Sequence, residues 1–138
     1  DALWIAVGKA LYRYHFATGE GEKIAWAPPK CFGDHPFGGE AAYLADADLL
    51  LCMGLHNDGG KLRNVAYDPQ ANKFFWTSLK FMGPDGKPPA FQANPFSWDD
   101  ALAYDPALKL AVLNSSHLQQ VYTLRFDRRT AGLEEIAE

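Results

Sequence analysis

The chain has 138 residues, 48% of them hydrophobic and 14% aromatic, which suits one packed domain and excludes a disordered segment. Its formal net charge of −4 leaves no basic footprint for nucleic acid. No apolar run approaches the roughly 18 residues of a membrane helix, so membrane insertion is not expected.

Taken in order, Leu3–Val7 is an apolar strand and Gly8–Lys9 a tight turn. Ala10–Phe16 alternates, with Leu11, Arg13 and His15 on one face and Tyr12, Tyr14 and Phe16 on the other, the period of two of a strand. ATGEG turns the chain into Lys23–Trp26, which Pro28–Pro29 must end because proline lacks the N–H a ladder needs. CFGDHPFGG, residues 31–39, carries too many breakers to be anything but a loop. Glu40–Trp76 then holds four strands, Ala41–Leu44, Leu49–Met53, Leu62–Tyr67 and Phe74–Trp76, separated by turn residues, which spells a four-stranded antiparallel meander. The 80–100 stretch, with four Pro and two Gly, is a long connection of the kind that is functional or disordered. Ala101–Tyr104, Leu108–Leu113, Gln120–Phe126 and Leu133–Ile136 complete the strands. Asp105–Pro106 in its middle argues against a helix over Leu102–Leu113. Cys52, in an apolar strand, reads as a buried thiol rather than as the partner of Cys31 in its loop.

The elements repeat. Segments beginning at Phe16, Tyr67 and Phe126 share one plan, an aromatic closing a strand, a short polar turn and an apolar return; the spacings are 51 and 59 residues. Ala41–Met53 likewise matches Ala101–Leu113. Periods near 40–60 residues with four strands each are those of propeller blades. The expected fold is therefore all-β, a single partial β-propeller domain over 1–138 with blade pieces 1–30, 39–79 and 99–138 and the long loop 80–100. That is an incomplete ring of two and a half to three blades, where closed propellers use about four to eight.

An apolar strand closed by YDP or FD, a short turn and an aromatic such as Trp76 resembles the kelch-type, galactose-oxidase-like β-propeller repeat. Gly38–Gly39 and Gly59–Gly60 fit it loosely, whereas the glycine pair that should close the second strand is replaced around Gly54 and Asn114. The resemblance implies a C-terminal piece of a larger propeller, in a secreted or periplasmic setting, completed by blades of the same parent chain or by other copies. Asp1 in place of an initiator methionine agrees with a processed or excised piece.

In such a blade the turns between second and third strands share a face with the blade-to-blade loops. His56, Asn57 and Asp58 fall in one such turn and His117 in the next; Asp34 and His35, then Trp98 and Asp100, fall in blade-to-blade loops. Together they form the expected ligand- or partner-binding face. A metal at His35, His56 and His117 is the alternative use of the same residues, but no HExxH or CxxC spacing supports it and no cofactor is expected. His15 has no such company. Asp46, Asp68, Asp105 and Asp127 read as turn formers, and Arg128–Arg129 as a solvated turn. Tyr12, Tyr14, Phe74–Trp76 and Tyr122 read as packing residues.

Two functions fit. The first is a non-catalytic binding or scaffold module holding a protein or glycan on the loop face. The second is part of a propeller enzyme, either a galactose-oxidase-like oxidase or a glycan hydrolase or lyase. A hydrolase needs carboxylates about 5–10 Å apart, for which Asp34, Glu40, Asp58 and Asp100 are candidates; the oxidase's linked Cys–Tyr motif has no match here.

Overall fold

The structure, a computed structural model, describes residues 2–7, 10–24, 41–58, 61–88, 101–116 and 118–137. Eleven strands run in chain order: β1 (Ala2–Val7), β2 (Ala10–His15), β3 (Glu20–Ile24), β4 (Ala41–Leu44), β5 (Leu49–Asp58), β6 (Lys61–Asp68), β7 (Lys73–Thr77), β8 (Ala101–Asp105), β9 (Leu110–Ser115), β10 (Gln120–Arg125) and β11 (Glu134–Glu135). They form three antiparallel sheets: an N-terminal one ordered β1-β2-β3, a central one ordered β11-β7-β6-β5-β4 and a C-terminal one ordered β10-β9-β8. The all-β expectation therefore holds, and the central four-stranded meander is the one read from the sequence. Among the described residues there is no helix, and no closed ring of sheets.

The central sheet is covered on both faces, which is why Leu49–Cys52 is apolar without alternation. Leu50, Cys52, Val65, Tyr67, Phe74 and Trp76 point one way and pack with Leu11 of the N-terminal sheet, with Trp4 and Ile24 at the margin. Leu44, Leu49, Leu51 and Ala66 point the other way and pack with Ala111, Leu113, Tyr122 and Leu124 of the C-terminal sheet. Pairing Leu50 with Tyr67 and Leu51 with Ala66 keeps the two sets on opposite faces. Burying each large aliphatic side chain contributes about 1.5–3 kcal/mol, so a single slip in register would move an entire set to the wrong core.

The central and C-terminal sheets exchange connections. After β7 the chain crosses to the C-terminal sheet, where Met82 and Thr123 exchange backbone hydrogen bonds of 2.8 and 2.9 Å at the edge of β10. After β10 it crosses back, and Glu134 and Glu135 pair with Trp76 and Phe75 of β7. The crossings touch where Ser78 N–H donates to Ala131 O at 2.9 Å. This corrects the expected third repeat: the segment after Phe126 does not return along β10 but becomes a fifth strand of the central sheet. Phe81, Phe126 and Ala131, carried by the crossings, are buried in the shared core, which supplies the reason.

Five hairpins use one turn, four residues whose last adopts a left-handed conformation: Gly19, Asp48, Asn72, Lys109 and Gln119, with φ from 50 to 71°. In four of them a tyrosine stands five residues earlier: Tyr14, Tyr43, Tyr67 and Tyr104. Tyr67 donates to Asn72 Oδ1 at 2.8 Å, Tyr43 donates to Asp48, and the Tyr14 hydroxyl lies 3.8 Å from where a Cβ on Gly19 would sit. The turns also correct two alignments. Tyr14, not Phe16, is the counterpart of Tyr67, a spacing of 53, because Phe16 is already in the turn. Tyr43 corresponds to Tyr104, a spacing of 61. The Tyr67–Phe126 spacing of 59 stands, since Asp68 and Asp127, one residue on, both accept turn N–H groups.

Candidate functional site

Alternation of turns gives each sheet two ends. In the central and C-terminal sheets, turns 45–48, 69–72 and 106–109 lie at one end, where Tyr104 donates to Asp46 across the sheets. The ends of β5 and β6 at Asp58 and Lys61, and those of β9 and β10 at Ser115 and Gln120, therefore lie together at the other. Ala41 at the start of β4, Thr77 at the end of β7 and Ala101 at the start of β8 stand at the same end.

His56, Asn57 and Asp58 do not form a loop, as the sequence reading had it, but continue β5, opposite Arg63, Leu62 and Lys61. The register shifts between Cys52 and His56, an irregularity that bends a strand and re-aims its remaining residues. His117 itself lies outside the described residues. Its turn is anchored by Ser115 Oγ, which accepts the Leu118 N–H at 3.3 Å. Asp34, His35, Trp98 and Asp100 lie outside the described residues, as do Cys31 and Glu40. The backbone thus brings residues 56–58 and the 116–119 turn to one end.

Two charged–aromatic clusters escaped the sequence reading. Arg63, opposite His56, lies over the Trp76 ring at 5.5 Å from its centroid and pairs with Glu134 at 2.9 Å. Arg13 lies over Trp4 at 5.4 Å, and Trp4 meets Tyr43 at 6.0 Å between centroids. His15, expected to be alone, sits 3.0 Å from Glu22 Oε1, which also binds Arg13; His15 first and then Arg13 hold the Glu22 carboxyl below its usual range. The alternation of β2 puts Arg13 and His15 on one face, but only the register with β3 brings Glu22 to them.

The opposite end is built for cohesion. Asp68, Asp105 and Asp127 form turns as read, each accepting N–H groups two or three residues on. Asp46 also lies in a turn, at 45–48, but its carboxylate accepts the Tyr104 hydroxyl and lies 3.7 Å from Lys109 Nζ. Arg129 is the solvated arginine, paired with Asp127. Arg128 instead reaches back to the central sheet, donating to Ala47 O at 3.1 Å and to the buried Asp68 carboxylate. Burial pushes the Asp68 carboxyl up, but the Ala71 N–H and the Arg128 guanidinium outweigh it and hold it below the usual range. Burial and then the Asp48 carboxylate push Tyr43 up to about 12; burial raises Tyr67 to about 12 as well.

Among the described residues, no three His, Cys, Asp or Glu side chains are grouped to hold a metal ion. No protein-family model, curated protein or solved structure matches the chain. The described geometry holds two arginine–tryptophan contacts and paired charges.

Proposed function

We propose that the chain is part of a kelch-like β-propeller, a non-catalytic binding or scaffold module of a larger protein or complex, with its protein or glycan ligand held at the end carrying His56–Asp58 and the 116–119 turn. The observation that carries the reading is the uniform direction of packing. Tyr43 and Tyr67 face the N-terminal sheet from the central one; their counterparts Tyr104 and Phe126 face the central sheet from the C-terminal one. First strands β4 and β8 lie side by side, as strands nearest a common axis do. Successive sheets stacked in one sense, with like faces covered by the preceding sheet, support a reading as blades of a radial series. The three described sheets would then belong to three consecutive blades.

The loop end of such a stack is where segments from different blades converge, and that supports Asp34, His35, Trp98 and Asp100 as members of the binding face. The test is a glycan array and a metal analysis on the intact protein, with His56→Ala and His117→Ala beside it. The reading expects saturable binding weakened by either substitution, no stoichiometric metal and no turnover. Stoichiometric copper, or bond cleavage lost in His56→Ala, would replace it with the oxidase or glycan hydrolase alternative.

A further inference from the structure

We infer that Arg63 is a carboxylate seat at the binding end, occupied in cis by Glu134, and that β11 is a detachable strap carrying Glu134 on and off it; this deepens the binding reading above, on which it rests for where the ligand arrives. Arg63 stands opposite His56 in the ladder of β5 and β6. Its side chain is 20% exposed, whereas that of Glu134 is 68% exposed. The guanidinium lies over the Trp76 ring, 5.5 Å from the centroid, and Nη1 donates to Glu134 Oε2 at 2.9 Å. Trp76 is itself buried. The cation is therefore held in place by the core, while the carboxylate that meets it is brought by an exposed strand. The planar donor fork of an arginine fits a carboxylate whichever molecule supplies it.

β11 is lightly held. It pairs with β7 over two residues, Glu134 with Trp76 and Glu135 with Phe75, and one further bond runs from Ile136 N–H to Phe74 O at 2.9 Å. Its second ion pair, Glu135 with Lys73, is exposed on both sides and contributes little. Leu133 and Ile136, which flank the strand, are only partly buried, against opposite cores. The molecule carries its own control. Arg13 lies over Trp4 at 5.4 Å and pairs with Glu22, the same three kinds of group. Glu22, however, sits in the middle of β3, which pairs with β2 over five residues. Of these two arginines, only Arg63 meets a carboxylate on a strand short enough to leave. Few paired residues and exposed backbone bonds put β11 at the low end of local opening free energies. When it opens, Glu134 leaves with it and a ligand carboxylate takes its place on Arg63.

The experiment is a titration of the full chain, unmodified and as Glu134→Gln, followed at the Nε–Hε resonances of Arg63 and Arg13 by NMR. The probes are glucuronate and a glutamate blocked at both ends, beside their neutral counterparts glucose and blocked glutamine. Each is taken to about 50 mM, well above a dissociation constant of millimolar order, at constant ionic strength. The expected result is a saturable shift of Arg63 with the carboxylates alone and none at Arg13. Binding should be up to about fivefold tighter in Glu134→Gln, the most that an exposed ion pair contributes. The two carboxylates distinguish an acidic glycan from an acidic side chain as the source. Ile136 N–H should exchange with solvent faster than Val65 N–H in the middle of the central sheet. With the fold checked by circular dichroism, an Arg63 resonance unmoved by both carboxylates, or moved equally by the neutral probes, would overturn the carboxylate seat. The glycan array would then still decide the binding reading on its own. Equal shifts at Arg13 and Arg63, or exchange of Ile136 only on global unfolding, would overturn the strap.

Discussion

Replacing Gly132 with alanine tests the seam where the two crossing connections meet. Gly132 has φ of 57°, and a Cβ there would collide with Ser78 Oγ and lie 3.1 Å from Ser78 Cβ. The left-handed backbone alone costs an alanine about 1–2 kcal/mol. The collision forces Ser78 to move, and its Oγ donates to Ala131 O at 3.1 Å while its N–H donates to the same oxygen. Losing one such bond adds about 1 kcal/mol, for a total of about 2–3 kcal/mol. Gly86 is the control: φ is 70° but nothing lies within 4 Å of its Cβ position, so Gly86→Ala carries the backbone cost alone. Urea unfolding of Gly132→Ala, Ser78→Ala, the double variant and Gly86→Ala would measure both parts. The expected coupling between positions 78 and 132 is about 1 kcal/mol, with Gly132→Ala costing more in the native background than beside Ser78→Ala. Equal costs for Gly132→Ala and Gly86→Ala, with no coupling, would refute the contact.

Four further outcomes concern the polar end and the core. Arg128→Ala leaves the buried Asp68 carboxylate short of its charged partner and is expected to cost about 1.5–3 kcal/mol, whereas Arg129→Ala, at an exposed pair, should cost under about 1 kcal/mol by chemical denaturation. Because the folded Asp68 pKa is depressed, its contribution is present above the unfolded carboxylate pKa near 3.8 and is lost as pH falls through the folded value, so Asp68→Asn should flatten the acid limb of a stability–pH curve. Tyr43 and Tyr67 run the other way: their raised pKa values near 12 stabilise the fold below pH 10 and lose that contribution between about 10 and 12, so tyrosinate absorbance should rise late and together with unfolding. Cys52 is fully buried and its thiol is pushed well above its usual range, so a thiol reagent should modify it only at the rate of opening.

The strands were legible because their apolar runs are short and bounded by Gly, Pro, Asn and Asp; the left-handed turns at Gly19, Asp48 and Asn72 use residues that announce them. Lys109 and Gln119 adopt the same conformation without such a signal, and β9 accordingly starts at Leu110 rather than at Leu108. The tyrosine five residues before each of four turns was present in the sequence, yet matching aromatics by type chose Phe16 over Tyr14. The return of β11 to the central sheet could not be read locally, since Glu134–Glu135 carries no apolar pattern and the pairing is set by the distant β7. Asp46 and Arg128 look like ordinary turn residues because their partners, Tyr104 and Asp68, are 58 and 60 positions away. For the binding face, topology alone was legible: alternate turns fall at one end whatever the side chains do there.

The most direct measurement of the stacked arrangement is a methyl-resolved NOE spectrum of the selectively labelled chain. Leu11, Leu50 and Val65 should form one network with the Tyr67, Phe74 and Trp76 rings, and Leu44, Leu49, Leu51, Leu113 and Leu124 a second, with the backbone of the central sheet separating them. Cross-peaks joining Leu113 or Leu124 to the Leu11 network, or a Leu11 methyl with no partner in the central sheet, would contradict three sheets laid one on the next.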